Sequence, residues 1–375
     1  MDEPARNEPH VGANPYAYPG AGAPAAPPAA PLRASPADSN RYPVEFTALA
    51  GEYFRIWIVN LALTILTLGI YSAWAKVRKK RYFYSHTRID GDSFEYRGNP
   101  IAILKGRIIA VVIFTAYSFG GQISPLLGGL CAIALVFAMP WLIIRSLAFN
   151  AYNSAYRNIR FNFRGRYWQP FRLLLGGGLL VILTLGFGYP YLKARLVQFV
   201  ARNHAYGATS FELGKVAGSF YGIYFKAFGL LLLSFAVLGI AAGVTGSFKG
   251  LRGGLSAGIV MVMIGAYAAY LLVFAYVHAR TTNVIWNGLV VGPVHFECTL
   301  GARKLAGIYL VNIVAIVLTL GLATPWAAVR TMRYRAEKMA IISAGELAEF
   351  VAAEAGNVSA TGEEVGELFD IDFGL

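Results

Sequence analysis

Carboxylates are scarce in the middle of this chain. Between residues 56 and 336 there are five, Asp90, Asp92, Glu95, Glu212 and Glu297, and none lies inside an apolar run. Proton- and cation-coupled carriers usually place an ionisable group within the membrane, so this scarcity argues against a coupled pump or antiporter. Cysteine is nearly missing as well. Cys131 sits in an apolar run and Cys298 in a connection, and two cysteines give neither a disulfide framework nor metal-ligand spacing. There is no Gly-x-Ser-x-Gly elbow, no P-loop, no paired carboxylates and no His-Glu-x-x-His. The expectation is a protein without enzymatic activity, cofactor or metal. His86 and His204, which stand before related segments, lack a Cys or acidic partner to complete a metal site.

Charge of either sign is low, at 14% of 375 residues, against about 25% in a typical soluble domain. Hydrophobic residues make up 56% and the mean hydropathy is +0.51. Seven apolar runs stand out, at 56–75, roughly 101–119, 126–144, 173–192, 227–248, 253–277 and 305–329, all uncharged except the second, which holds Lys105 and Arg107. A run of about 20 residues is long enough to cross roughly 30 Å of hydrocarbon. The chain therefore reads as an integral membrane protein. The opening residues 1–41, rich in Pro and Ala, have no apolar h-region and read as a disordered tail, and 343–375 as an acidic tail.

Three of the runs carry one signature: "NLALTILTLGIYSAW" at 60–74, "GGLLVILTLGFGYPY" at 177–191 and "NIVAIVLTLGLATPW" at 312–326. A basic segment follows the first signature at once, with five Lys or Arg among the six residues Lys76–Arg81. Before the runs come short alternating stretches with Phe46, Phe161 and Phe296 in corresponding places. After the first two come "GDSFEYRG" and "GATSFELG", each strand-like and bounded by glycine. The expected fold is an all-α polytopic membrane domain over 42–342. Three related units, near 44–98, 159–215 and 294–340, are joined by two transmembrane helix pairs, 101–148 and 220–279. Short β-like segments lie at the cytoplasmic face.

The segments "LTLGIYSAWAKVRKKRYFYSHTRIDGDSFEYRGNP" and "RSLAFNAYNSAYRNIRFNFRG" resemble the YjgN-like family of bacterial inner-membrane proteins. The resemblance covers about residues 42 to 342. It implies a location in the inner membrane and an architecture, and it carries over no activity and no site residue. The units also depart from one another: Ser72-Ala73-Trp74 stands where the third unit has Pro325-Trp326 and the second has Tyr189-Pro190-Tyr191.

Basic residues report on how the runs lie. With seven plain spans, Lys and Arg divide 12 against 21 between the two sides. With the three Thr-Leu-Gly runs entering and leaving on one face, they divide 31 against 2, with Lys249 and Arg252 alone outside. The positive-inside tendency favours the second arrangement and places both termini in the cytoplasm. Seven spans is the competing reading. Two broken arms of about eight residues would each reach only about 12 Å, and such backbone must be covered by protein or line a wet cavity.

Two functional readings follow. In the first, a transporter or channel-like protein for a small solute or lipid, the breaks face one another around a polar cavity built from Asn60, Thr67, Gly69, Thr184, Gly186, Asn312, Thr319 and Gly321. In the second, a non-transporting scaffold binds anionic lipid or partner proteins through its basic cytoplasmic face. Its candidate headgroup contacts are Lys76, Arg78, Lys79, Lys80, Arg81, Arg157, Arg160 and Arg164. A cluster such as Lys76–Arg81 directly after an apolar run reads as a topology anchor against lipid headgroups and not as a nucleic-acid site.

Overall fold

The computed structural model describes residues 39–244 and 257–357. Most of both expected tails, and the connection holding Lys249 and Arg252, lie outside the described residues.

The chain alternates strands and helix pairs. Strand β1 (Ser39–Phe46) leads into α1 (Ala50–Leu66) and α2 (Ser72–Ser85), which return to β2 (Thr87–Ile89). Then β3 (Asp92–Tyr96), α3 (Pro100–Ile123), α4 (Pro125–Tyr152) and β4 (Ser154–Tyr156) repeat the order. The third round is β5 (Ile159–Phe163), α5 (Trp168–Leu183), α6 (Tyr189–Asn203) and β6 (His204–Tyr206). The fourth is β7 (Thr209–Leu213), α7 (Ala217–Val244), α8 (Ala257–Asn287) and β8 (Leu289–Val291). The last is β9 (Val294–Cys298), α9 (Ala302–Leu318), α10 (Thr324–Glu337) and β10 (Met339–Ala344). All ten strands join one closed antiparallel barrel, in which β1 pairs with both β2 and β10.

The barrel overturns the all-α expectation. The strands after glycine, β3 and β7, are legible in the sequence, as are the alternating stretches of β1, β5 and β9. Their partners β2, β4, β6 and β8 are three residues long, too short for a period of two to declare itself. Two-residue turns link these pairs at Asp90-Gly91, Arg157-Asn158, Gly207-Ala208 and Gly292-Pro293. The first residue of each has positive φ, as tight hairpins require.

Inside the barrel, five cross-strand pairs form one layer: Val44–Ile89, Phe94–Tyr156, Phe161–Tyr206, Phe211–Val291 and Phe296–Ile341. The strand register thus matches Val44, and not Phe46, with Phe161 and Phe296. The layer is a packed core, so the barrel is filled and not a pore. A further helix, 347–357, packs Leu347, Phe350 and Val351 against it. This helix lies at the hairpin-turn end. The Glu354 carboxylate accepts from Thr209 N at 2.9 Å, from Thr209 Oγ1 at 2.8 Å and from Ala208 N. Arg157 ties two neighbouring turns by pairing with Asp90 at 2.8 Å and with Asp92.

Helix pairs hang from the opposite end through a recurring clasp. The amide just after an outgoing strand donates to the carbonyl at the end of a returning helix: Thr47 to His86 (3.0 Å), Arg97 to Asn153 (2.8 Å), Arg164 to Asn203 (2.8 Å) and Thr299 to Lys338 (2.9 Å). The ten helices form a closed ring in which each touches its two neighbours, α10 meeting α1. Four of them, α3, α4, α7 and α8, are long and apolar enough to cross a membrane. Their 24 to 31 residues amount to about 36–46 Å of helix, and the protein itself covers little of them. At the turn of the first long pair, the Ser124 side chain caps α4 by accepting from Leu126 N at 3.3 Å, with Pro125 as the first helical residue.

Barrel packing carries an alkaline signature. Burial pushes the Tyr156 hydroxyl up to about 12, with Arg157 beside it opposing the rise, and burial raises Tyr206 as well. Both prefer the neutral form in the folded barrel, so their stabilisation is complete below the ordinary tyrosine value of about 10 and is lost as pH rises through the folded values. Thermal unfolding in detergent checks this. Tyr156→Phe loses the bond to Ile89 O (2.7 Å), at a cost of about 1 kcal/mol at neutral pH, but its melting temperature falls less steeply than wild type between pH 10 and 12. Parallel curves would contradict the account.

Candidate functional site

The three Thr-Leu-Gly elements are the tips of helical hairpins, and all three have the same geometry. Thr67 Oγ1 donates to Leu63 O (2.7 Å) and accepts from Tyr71 N (2.9 Å). Thr184 Oγ1 donates to Leu180 O (2.6 Å) and accepts from Gly188 N (2.7 Å). Thr319 Oγ1 donates to Ala315 O (2.7 Å) and accepts from Ala323 N (2.9 Å). The glycine amides close the first arm by donating to Thr64, Val181 and Ile316 carbonyls, each at 2.7 Å. Leu68, Leu185 and Leu320 have φ near +50° and the following glycines φ of +93° to +95°. Two successive left-handed residues reverse the chain, and glycine takes the second at little cost.

Each tip therefore consumes its own polar groups and presents leucine outward. Leu68, Leu185 and Leu320 are 95%, 90% and 94% exposed. That suits a turn immersed in hydrocarbon, where every backbone group must find a partner within the protein. The tips do not converge. A Cβ built on Gly69, Gly186 or Gly321 would meet nothing within 4 Å, and the ring order sets hairpin α5/α6 between the two long pairs.

The arms are longer than the apolar runs suggested, 14 to 17 residues, because each helix continues into polar sequence. Charge on the returning arm nevertheless comes close to each tip. Lys76 and Lys193 lie seven residues beyond their tip glycines and Arg330 nine, which is about 10–13 Å of helix. Charge that close to the tip leaves an apolar cap shorter than half of a roughly 30 Å hydrocarbon core.

Asn60 and Asn312, nine residues before the tip glycines, are both buried. Asn312 Nδ2 donates to Thr331 Oγ1 (3.0 Å) and Ala327 O (3.3 Å) across its own hairpin. The amide oxygens of both have no protein partner. The basic candidates separate into two groups. Lys76, Arg78, Lys79, Arg81 and Arg164 are exposed at the membrane end of the barrel. Lys80 bonds Asn150 Oδ1 and sits 4.5 Å from the Tyr96 ring, and Arg160 lies over Tyr152 at 4.6 Å. Arg157 is committed to Asp90 and Asp92 at the far end. His86 and His204 each bond a helix carbonyl one turn back, Tyr82 O and Val200 O, both at 2.7 Å.

A register in the returning arms escaped the sequence reading. An aromatic stands five residues beyond each tip glycine and an arginine nine beyond: Trp74 and Arg78, Tyr191 and Arg195, Trp326 and Arg330. At one helical turn apart they share a face. Arg195 lies 5.1 Å from the Tyr191 ring and Arg330 5.1 Å from the Trp326 ring. Aligning the three runs on their glycines finds this pattern; counting basic residues does not.

A family model described as a bacterial protein of unknown function (DUF898) matches residues 41–368. Inner membrane protein YjgN of Salmonella typhimurium strain LT2 is 28% identical over 155 residues, which is 40% of this chain and 39% of the relative. The YjgN proteins of Escherichia coli O157:H7 and K12 are 28% and 27% identical over 153 residues, 38% of this chain and 36% of each relative. The matched segment thus spans well under half the length of these relatives. No solved structure matches.

The tips give a test of their own. Gly186→Ala places a side chain at φ +94° and should cost about 1–2 kcal/mol. Gly178→Ala, in a regular helix with nothing within 4 Å of the new Cβ, should be neutral or stabilising. Equal melting temperatures for the two variants in detergent would show that the turn is not held as described.

Proposed function

The chain belongs to the DUF898 family of bacterial proteins of unknown function, and from that premise we propose an inner-membrane module that gathers anionic lipid in one leaflet, binding without catalysis. One observation carries the proposal. Every helix pair among the described residues leaves the barrel and returns to it, so all connections between pairs belong to the barrel side of the molecule, and the basic Lys76–Arg81 segment lies in an arm that leads back to it.

On this reading the barrel and both termini are cytoplasmic. The pairs α3/α4 and α7/α8 cross the bilayer, and the three Thr-Leu-Gly hairpins are a repeated wedge that enters the cytoplasmic leaflet alone. Each wedge places an exposed leucine among acyl chains and an aromatic–arginine pair near the headgroups. Lys76, Arg78, Lys79 and Arg81 extend that band around the first hairpin. Aromatic rings favour the interface, and each cation near an anionic surface contributes about 1 kcal/mol. A solute route draws little support from the tips, whose hydroxyls and amides are spent on the turns and whose leucines point outward.

Lipid selectivity in the reconstituted protein tests the proposal. Spin-labelled phosphatidylglycerol should be motionally restricted in preference to spin-labelled phosphatidylcholine, and the preference should shrink as salt rises. Replacing Lys76, Arg78, Lys79 and Arg81 with glutamine should lower it by about threefold or more, given roughly 1 kcal/mol per charge. A wild-type protein with no preference would refute the reading.

A further inference from the structure

In the first and last hairpins a tyrosine hydroxyl clamps the start of the outgoing arm. Tyr82 Oη accepts from Leu49 N (3.1 Å) and donates to Leu49 O (3.0 Å). Tyr334 Oη accepts from Gly301 N (2.9 Å) and donates to Gly301 O (3.4 Å). Leu49 and Gly301 are the residues capping α1 and α9. Both tyrosines stand thirteen residues beyond the tip glycine, and that position in the middle hairpin is Phe199. Phenylalanine has the ring without the hydroxyl, and the corresponding amide, Arg166 N, donates instead to Gln169 Oε1 at 3.4 Å within its own arm.

At this place the two arms of the middle hairpin part into an open cleft of about 440 Å³. Gln169 and Leu173 of α5 form one wall, and Arg195, Gln198, Phe199, Arg202 and Asn203 of α6 the other. Gln198 is 9% exposed and donates through Nε2 to Gly214 O at 2.6 Å. Arg195 Nε donates to Tyr191 Oη (3.0 Å) and Arg202 Nη2 to Leu213 O (3.2 Å). Neither guanidinium has a carboxylate partner among the described residues, and no acid lines the cleft.

We propose that this cleft binds a phosphate group through Arg195 and Arg202. Planar guanidinium forks suit phosphate oxygens. Arg195 lies nine residues from the tip glycine, about 13 Å of helix, which matches the depth of a phospholipid headgroup. That placement rests on the one-leaflet insertion of the preceding section. The same chemistry is met by a lipid phosphodiester or by a soluble phosphate.

Full-length protein in nanodiscs separates the two sources. One arm measures restriction of spin-labelled phosphatidylglycerol in phosphatidylcholine discs, and the other titrates inorganic phosphate into discs of phosphatidylcholine alone. Three variants are compared with wild type: R195Q/R202Q, F199Y, which restores the clamping hydroxyl while keeping both arginines, and the quadruple glutamine variant of the first hairpin. Gel filtration and melting temperature establish that each is folded. The expectation is at least a threefold loss with R195Q/R202Q and with F199Y in one arm, and that arm identifies the source. If R195Q/R202Q binds as wild type in both arms, or if F199Y keeps full binding, the site is refuted. The broader lipid reading fails separately, when wild type shows no preference for the anionic lipid.

Discussion

Both ends of every helix pair are hydrogen-bonded into a single ring of strands, and the rest of the structure depends on that closure. A ten-strand ring leaves no open edge, and its filled aromatic layer makes it a rigid platform. The clasp from strand amide to helix-end carbonyl then fixes four of the five pairs to the rim. Since each pair must come back to the rim it left, the only freedom along the chain is how far it travels. Long apolar arms reach across a bilayer, and short ones turn back.

What decides the short case is local. A chain reversing within hydrocarbon needs every amide and carbonyl satisfied, and Thr-Leu-Gly accomplishes this in a few residues. The threonine hydroxyl serves both arms, the glycine amide closes the first, and leucine faces the lipid. In the proposed arrangement charge on the returning arm sets depth, because lysine and arginine stay in reach of water or headgroups. The same sequence element that breaks the helix thereby also fixes where the cationic collar sits. In the middle hairpin, the change from tyrosine to phenylalanine at position 199 coincides with an open cationic cleft.

Much of this was legible in the chain. The basic bias of 31 against 2 pointed to hairpins that return to one face, and Thr-Leu-Gly marked where they turn. The barrel was half legible. Strands β3, β7 and the alternating stretches had visible patterns, but three-residue partners carry no periodicity, and β1 meets β10 from the opposite end of the described chain. Arm length was misjudged because helix does not stop where apolarity stops: Lys76 to Ser85 are helical and largely polar. Asn312 bonds across its own hairpin, which is not legible in the chain because sequence spacing does not say which helix faces which. Arg157 looked like any other interfacial cation, and only the turn geometry reveals its carboxylate partners.

The most direct test of the account is the side on which Ser210 lies. It is exposed on β7, just after the middle hairpin returns. In a chain without Cys131 and Cys298, single cysteines at Ser85, Gln122 and Ser210 would be challenged with a membrane-impermeant thiol reagent, before and after cells are opened. Ser85 marks the barrel side and Gln122 the far turn of the first long pair. The account predicts that Ser210 behaves like Ser85 and opposite to Gln122. Labelling of Ser210 together with Gln122 would mean that α5 and α6 cross the membrane as a span, and a ring of returning hairpins would be wrong.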